Sequence, residues 1–221
     1  MRVEVLPDAE AVAAAAADRL VAARGHVALS GGSTPKRAYA LAARRRSDWS
    51  GVIFWLGDER HVAPDDERSN LRMAREQLGG EAPIEAVRTE LALEDAAADY
   101  EERLGAALGP GGRLDLALMG LGPDGHTASL FEGKPALQER VRLAVAVPEA
   151  GMGPFVARVT LTLPAFDAAR AVLFLVAGED KAKALRRAFG ERPDPAAPSA
   201  RVRPFDGELL VLADRAAAAA L

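Results

Sequence analysis

Short runs of β-forming residues alternate along this chain with longer stretches of helical periodicity, and this alternation limits the folds open to it. It predicts an α/β fold of three layers, an open and mostly parallel sheet flanked by helices, because each parallel connection needs a crossover long enough to hold a helix. The predicted strands cover Val3–Leu6, His26–Ser30, Val52–Gly57, Leu114–Gly120, Val141–Val147, Val159–Leu163, Ala171–Ala177 and Glu208–Leu212. The predicted helices cover Asp8–Arg24, Pro35–Arg46, Ser69–Leu78, Leu93–Leu108, a short segment after His126, Pro164–Arg170 and Lys181–Phe189.

Length and composition narrow the class of protein. A chain of 221 residues commonly folds as one domain, so we expect a single domain over residues 1–221. The formal net charge of -4 gives no general attraction to nucleic acid or to an anionic membrane, and we expect neither as a partner. The chain has no cysteine, which favours a cytoplasmic setting, and charges at Asp8, Glu10, Asp18 and Arg19 argue against a secretory or membrane-spanning segment at the start.

The first candidate site is the stretch LSGGSTP, in which an apolar strand leads through two glycines into a helix. Thr34 suits the N-cap and Pro35 the first helical position, where a missing N–H costs nothing. Such a helix start directs free N–H groups at one point, and Gly31 and Gly32 would let a ligand approach the backbone. Together with Ser33 they predict an anion site, although any tight strand-to-helix turn also favours glycine and a cap.

The second candidate site is GDERHV, which follows a buried-looking strand. Asp58, Glu59, Arg60 and His61 emerge together at the carboxyl end of that strand, where open parallel sheets place their ligands. Arg60 beside Asp58 offers a fixed donor and a fixed acceptor, which would suit a polyhydroxylated substrate. The opposing interpretation is a solvated loop, because charged residues after strands are common on surfaces.

The third candidate site is LMGLGPDGHTASLF, which can be interpreted in three ways. It matches the dinucleotide-binding pattern G-x-G-x-x-G at Gly120, Gly122 and Gly125. A dinucleotide loop also needs a full crossover helix, whereas Gly133 and Pro135 interrupt the chain within about three turns. The second interpretation is a helix start with an incidental histidine, and the third is a loop that presents a catalytic histidine.

His126 favours the third interpretation, because it follows a strand through a tight glycine turn with Asp124 as a possible partner. Imidazole is the side chain that changes charge near neutral pH, which suits a general base. Of the other histidines, we expect His26 to be structural and His61 to be the weaker rival. No H-E-x-x-H or comparable ligand spacing occurs, so we expect no dedicated catalytic metal.

Two cations could complete an anion pocket. Arg158 stands just before one predicted strand, and Lys181 stands just after the next. Taken singly, each is an ordinary surface cation. Lys181 lies at the carboxyl end of its strand, level with the other candidate loops, whereas Arg158 would join them if its strand ran antiparallel to the rest. We therefore predict an antiparallel strand near an edge of the sheet.

Taken together, LSGGSTP, GDERHV with the following D and SN, LMGLGPDGHTASLF, RVTLT and GEDKAKAL resemble the 6-phosphogluconolactonases in order and spacing. That family is grouped with the glucosamine-6-phosphate deaminases, and the resemblance covers nearly the whole chain. It implies a modified Rossmann-like fold of the deaminase type. It further implies hydrolysis of 6-phospho-D-glucono-1,5-lactone to 6-phospho-D-gluconate in the oxidative pentose phosphate pathway, with a small sugar-phosphate lactone as the partner and no cofactor.

The resemblance also implies which residues form the site. The implied catalytic residues are His126 as the base, Asp58 and Arg60. The implied substrate-binding residues are Gly31, Gly32, Ser33, Thr34, Ser69, Asn70, Asp124, Gly125, Arg158 and Lys181. One departure is Glu132, which stands where family members often have proline.

Three alternatives stay open. The deaminases continue from the Asp-Gly-His turn into an Asn-Glu-Pro segment whose glutamate assists ring opening, whereas Phe131 stands at that glutamate's position here and Glu132 lies one step further on. A non-catalytic sugar-phosphate-binding regulator would keep the pocket without turnover. A nicotinamide-dependent oxidoreductase would bind NADP(H).

Overall fold

The computed structural model describes all residues, 1–221, and its centre is a seven-stranded parallel sheet. The strands of this sheet are β1 (Arg2–Leu6), β2 (Gly25–Leu29), β3 (Val52–Leu56), β5 (Ile84–Glu85), β6 (Leu116–Gly120), β9 (Ala171–Val176) and β10 (Glu208–Asp214). Their order is β1-β10-β9-β6-β2-β3-β5, and every pairing is parallel. The predicted fold class, a mostly parallel sheet flanked by helices, is confirmed.

Six helices cover the two faces of the sheet. They are α1 (Ala9–Ala22), α2 (Ser33–Ala43), α3 (Asn70–Leu78), α4 (Leu93–Leu108), α5 (Leu163–Ala168) and α6 (Ala182–Phe189). The first three bury their apolar residues with alternate strand residues such as Leu29 and Leu118. The other three do so with the intervening residues, such as Ala28 and Met119, on the opposite face. Successive strand side chains point to opposite faces, so two apolar layers form around one sheet. None of the helices is both long and apolar enough to cross a membrane.

A second, three-stranded antiparallel sheet lies on the α4 side. Its strands are β4 (Asp58–Arg60), β7 (Ala144–Val147) and β8 (Arg158–Leu161), in the order β4-β8-β7. Arg60 pairs with Arg158, so the strand that carries Arg158 does run antiparallel, as predicted. It belongs to this small sheet and not to the edge of the central one, because its partners are β4 and β7.

Two local predictions were wrong. No helix follows His126, because residues 127–130 form a tight turn closed by a bridge between Thr127 and Leu130. The hydroxyls of this turn bond to distant groups instead of capping a helix. Thr34 is not an N-cap either, since α2 begins at Ser33 with Gly32 as its cap and without a side-chain cap bond.

A crevice opens between β2 and β6, which are neighbours in the sheet. The chain leaves β2 toward the face covered by α1 and α2, and it leaves β6 toward the face covered by the small sheet. Ligands of open α/β sheets bind at such a point, beyond the carboxyl ends of the strands. The fold therefore directs four loops, those after β2, β3, β6 and β9, toward one place.

Candidate active site

A cavity of about 240 Å³ lies in this crevice. Its lining is mostly polar and comes from loops far apart in the sequence. The lining residues are Ser30, Gly31, Gly32, Asp58, Arg60, Gly120, Leu121, Gly122, Pro123, His126, Thr127, Ala128, Met152, Arg158 and Lys181. Seven of the thirteen residues predicted for the site are among them, and these include all three predicted catalytic residues.

His126 is held by the carboxylate of Asp124. The Asp124 Oδ1 lies 2.5 Å from His126 Nδ1 and also accepts the backbone N–H of His126 at 3.1 Å. Partial burial raises the pKa of Asp124, but the backbone N–H and imidazole of His126 outweigh this and hold the pKa below its usual value. An ionised carboxylate at Nδ1 places the ring proton there, which leaves Nε2 as the basic nitrogen.

The glycines of this loop allow the histidine its position. A Cβ on Gly122 would overlap the imidazole of His126, so the ring lies directly against a backbone that has no side chain. Gly125 has a φ of 90°, a conformation that glycine adopts at little cost. Its carbonyl accepts the backbone N–H of Ser199 at 3.1 Å and the Ser199 hydroxyl at 2.8 Å. The G-x-G-x-x-G pattern therefore serves the placement of His126.

Phe131 packs beneath the site. Its buried ring lies 4.7 Å from the His126 ring, centroid to centroid, and the Arg158 guanidinium carbon lies 5.6 Å from its centroid. The base of the cavity beside the candidate histidine is therefore apolar and carries no acid at Phe131.

A buried polar cluster joins β4, β8 and the loop after β6. The Ser129 hydroxyl donates to Asp58 Oδ2 at 2.7 Å, and Arg158 Nη1 lies 3.4 Å from the same hydroxyl and 3.7 Å from Asp58 Oδ2. Arg158 Nη2 donates to the carbonyls of Met152 and Pro154, both at 3.0 Å. Burial lowers the pKa of Arg158; the carboxylate of Asp58 reverses this only in part, and the charge of Arg60 strengthens it.

Two donors of the cavity residues have no partner within the protein. The Nε atoms of Arg60 and Arg158 are both buried and unpaired, whereas Arg60 Nη1 donates to the Arg68 carbonyl at 2.6 Å. An unpaired buried donor costs about 1–3 kcal/mol, more when charged, unless a ligand meets it. Both arginines also line the cavity, so they place positive charge beside any ligand that it holds.

The remaining cation and the helix start lie at the same cavity. Lys181 stands next to Asp180, whose carboxylate is 3.1 Å from its Nζ. Gly31 and Gly32 bring the chain to the N-terminus of α2, and the buried Tyr39 fixes this turn by bonding to both the N–H and the carbonyl of Ser30 at 2.8 Å. Free N–H groups at a helix start favour an anion.

The other predicted site residues act from outside the cavity lining. Asn70 donates to the Asp58 carbonyl at 2.8 Å, and its carboxamide packs so closely on Gly31 that any side chain there would overlap it. Ser69 caps α3. Ser33 and Thr34 form the first turn of α2. Asp124 and Gly125, described above, support His126.

Neighbouring charged and histidine residues are structural. Burial raises the pKa of Glu59, and its carboxylate accepts the backbone N–H groups of Asn70 and Leu71 at the start of α3. His61 Nε2 lies 2.9 Å from the Leu91 carbonyl, and the Nδ1 of His26 lies 3.1 Å from the indole nitrogen of Trp55. No group of three or more potential metal-ligating side chains comes together in the chain.

Some residues that line or support the cavity were not identified from the sequence. Ser30, Thr127 and Met152 line the cavity, and Ser129 holds the Asp58–Arg158 cluster. Ser129 lies 71 residues from Asp58, and no sequence pattern joins the two. The position of Thr127 and Ser129 directly after a candidate base is the one local signal that could have indicated them.

The fold and the site define a class of protein, a doubly wound α/β domain with a polar, cation-lined cavity at the carboxyl ends of its strands. Comparison with known proteins narrows it. Residues 4–211 match the family model of glucosamine-6-phosphate isomerases/6-phosphogluconolactonase. A 6-phosphogluconolactonase of Nostoc sp. is 40% identical over 240 residues, covering 99% of this chain and 98% of the relative. The chain belongs to this glucosamine-6-phosphate isomerase/6-phosphogluconolactonase family.

Solved structures agree with this assignment. The structure of 6-phosphogluconolactonase from Trypanosoma cruzi matches with a TM-score of 0.88 and 30% identity, over 100% of this chain and 96% of that one. A monomeric glucosamine-6-phosphate deaminase matches with a TM-score of 0.86 but 19% identity, over 100% of each chain, which shows a shared fold. The predicted modified Rossmann-like fold of the deaminase type is confirmed.

Proposed function

We propose that this chain is a 6-phosphogluconolactonase, which hydrolyses 6-phospho-D-glucono-1,5-lactone to 6-phospho-D-gluconate in the oxidative pentose phosphate pathway. It would act as a single domain of residues 1–221 in the cytoplasm, on a small sugar phosphate and not on nucleic acid. The observation that carries the proposal is the Asp124–His126 pair in a cavity that also holds Arg60, Arg158 and Lys181. The curated relatives share this activity by name.

The cationic side of the cavity would bind the phosphate. Arg158 and Lys181 supply charge, and the start of α2 at Gly31 and Gly32 supplies backbone N–H groups. The phosphate is remote from the lactone carbonyl, so its binding energy serves to orient the ring for attack. A charge-assisted contact contributes about 1.5–3 kcal/mol, so this pocket should discriminate strongly against an unphosphorylated lactone.

His126 would act as the general base. Its Nε2 takes a proton from water as the water oxygen bonds to the lactone carbonyl carbon, and the carbonyl becomes a tetrahedral oxyanion. The oxyanion then collapses, the bond between the carbonyl carbon and the ring oxygen breaks, and the proton on Nε2 passes to that oxygen. Asp124 stabilises the imidazolium formed between these two steps.

The oxyanion needs hydrogen-bond donors. Arg60 is one candidate, because it lines the cavity and its guanidinium carries several donors and a positive charge. The backbone N–H groups of the glycine turns at Gly31, Gly32 and Gly122 are the other candidates. Donors that are already fixed before the reaction stabilise developing charge without reorganisation.

Proton release from freshly prepared 6-phosphogluconolactone, corrected for spontaneous hydrolysis, tests the proposal. We expect saturable, enzyme-dependent acceleration that 6-phosphogluconate inhibits competitively. Equal acceleration by an enzyme heated to unfolding would contradict it. The same preparation offered glucosamine 6-phosphate should release no ammonia, because Phe131 replaces the acid that the deaminases use.

Two further outcomes would redirect the assignment. Saturable binding of 6-phosphogluconate without turnover would indicate a regulator. Binding of NADP(H) would indicate an oxidoreductase. In the structure, however, Gly122 packs against the imidazole of His126, and the Gly125 carbonyl is bound by Ser199.

A further inference from the structure

Arg187 lies outside the cavity lining, yet its guanidinium contacts the loop that carries the candidate base. It stands in the last turn of α6, and its three nitrogens each have a different acceptor. Its Nη1 donates to the backbone carbonyl of Asp124 at 3.0 Å, Nη2 donates to Glu132 Oε2 at 2.8 Å, and Nε donates to Asp194 Oδ2 at 2.6 Å.

These contacts connect the two ends of one segment. Asp124 and Glu132 bracket the turn with His126, and Arg187 binds both of them. Asp194 belongs to the proline-rich loop, residues 190–204, whose only regular element is a short 3-10 helix over Pro198–Arg201. Arg187 therefore joins the candidate catalytic loop, α6 and the proline-rich loop through a single planar group.

The same loop is attached to the proline-rich loop a second time. Ser199 donates to the Gly125 carbonyl through both its backbone N–H and its hydroxyl. Ala197 packs on Gly125, whose added Cβ would lie 3.3 Å from the Ala197 Cβ. The two successive backbone carbonyls that precede His126, those of Asp124 and Gly125, are therefore both held by hydrogen bonds.

We propose that Arg187 is a positioning residue for the base, held in place by Glu132 and Asp194, and this rests on the proposed function. The side chain of Asp124 orients the imidazole while its carbonyl is bound by Arg187, so displacement of this carbonyl would displace the Asp124–His126 pair. A displacement of about 1 Å in such a group can lower a rate by ~10²-fold.

The ion pairs themselves contribute little to global stability. The exposed fractions of the side chains are 32% for Arg187, 54% for Glu132 and 40% for Asp194. Exposed pairs of this kind are screened by solvent, and removing one changes stability little. Loss of Arg187 should therefore lower kcat while the free energy of unfolding changes little. The proposal also assigns a role to Glu132, which supplies one of the two carboxylates that hold Arg187.

The central experiment is a double-mutant cycle between Arg187→Met and His126→Ala, measured as kcat and KM for 6-phosphogluconolactone. Arg187→Met alone should lower kcat about tenfold to a hundredfold and leave KM and the Kd of 6-phosphogluconate within about twofold. In the His126→Ala background it should have no further effect, because the base that it positions is absent. Equal losses in both backgrounds would overturn the proposal, since Arg187 would then act independently of His126.

Two matched variants control the experiment. Arg186→Met removes the adjacent, exposed arginine of the same helix and should retain wild-type kcat. Arg187→Lys keeps the charge between Glu132 and Asp194 and should recover part of the lost rate. A thermal melt of each variant verifies folding. If folded Arg187→Met kept wild-type kcat, this inference would be refuted, and the proposed function would stand because the wild type is active. If the wild type itself were inactive, the proposed function would be refuted.

Discussion

The guanidinium of Arg158 lies 3.7 Å from the carboxylate of Asp58, and the two side chains are 3% and 7% exposed. They come from adjacent antiparallel strands, and Ser129 bridges them. Two opposite charges can remain buried in this way because each offsets the desolvation cost of the other. The pair therefore places a cation at the cavity while the interior stays neutral.

Removing one partner of this pair should destabilise the fold. Asp58→Ala would leave Arg158 buried without its counter-charge, a change that typically costs about 3–5 kcal/mol, less what the Met152 and Pro154 carbonyls compensate. Urea denaturation should show a clearly lower midpoint. As a control, Glu10→Ala, which breaks the exposed pair with Arg37, should hardly move the midpoint. Equal midpoints for both variants would contradict the importance of the buried pair.

Lys181 should contribute to binding and not to chemistry. Lys181→Ala removes one cation from the cavity, so KM for the phosphorylated lactone should rise about tenfold or more while kcat changes little. Lys183→Ala removes an exposed lysine two residues further along and should leave KM unaltered. Steady-state kinetics at low ionic strength would reveal the difference, and an unchanged KM in Lys181→Ala would exclude Lys181 from the phosphate pocket.

The sequence predicts most of the central sheet because its strands are apolar runs whose burial depends on their own composition. The strand Asp58–Arg60 was not predicted, because three charged residues become a strand only through pairing with β8, about 100 residues later. The prediction of a helix after His126 was wrong for a related reason. Its hydroxyl residues bond to Gly120 and Asp58, and these partners become neighbours only in the folded chain.

The residues of the candidate site likewise fall into those that local sequence indicates and those that only the fold reveals. Gly31, His126 and Lys181 could be identified because each stands at a strand end in a local pattern of recognisable chemistry. Ser129 and Arg187 could not, since a serine in a turn and an arginine in a helix are common and gain meaning from partners at long range. Local sequence thus indicates the groups that would contact the substrate, and the supporting groups require the fold.

The carboxylate of Glu139 should stabilise the fold at neutral pH and lose this effect in acid. Its carboxylate accepts the backbone N–H of Val141, and this bond with those from Arg140 and Arg142 lowers its pKa to about 2. Because the pKa in the folded state lies below that of the unfolded chain, the stabilisation is complete at neutral pH and is lost as the pH falls toward 2.

Glu139→Gln should therefore lower the Tm at pH 7 and differ less from the wild type at pH 3. Thermal melts at the two pH values measure this difference, and Glu67→Gln serves as an exposed control. A Tm difference that stays constant between pH 7 and pH 3 would show that the carboxylate charge is not responsible.

Replacing the candidate base should slow the chemical step. General-base catalysis contributes about 10²–10⁴-fold, so His126→Ala should lower kcat by that factor while 6-phosphogluconate still binds. His126→Gln, which can hold a water but cannot accept its proton in the reaction, should be nearly as slow. His61→Ala should lose far less, because His61 bonds to the Leu91 carbonyl outside the cavity. Near-normal kcat in His126→Ala would remove His126 from the mechanism.

Gly122 offers a way to move the base without removing it. A Cβ at this position would overlap the imidazole of His126 and would approach Asp124 Oδ1 to 2.7 Å. The imidazole belongs to a side chain and can swing aside, so Gly122→Ala should fold with a Tm close to that of the wild type. The displaced ring would no longer meet the water and the lactone in the required geometry, and kcat should fall about tenfold to a hundredfold.

Gly105→Ala is the matched control, because it adds the same methyl group within α4 where no atom lies within 4 Å. It should retain full kcat and gain slightly in stability, since alanine favours a helix over glycine. If Gly122→Ala kept wild-type kcat, the histidine would not need the position that it occupies, and the glycine would serve only the turn. If kcat fell while the Kd of 6-phosphogluconate stayed unchanged, His126 would need a residue without a side chain at position 122 to reach its catalytic position.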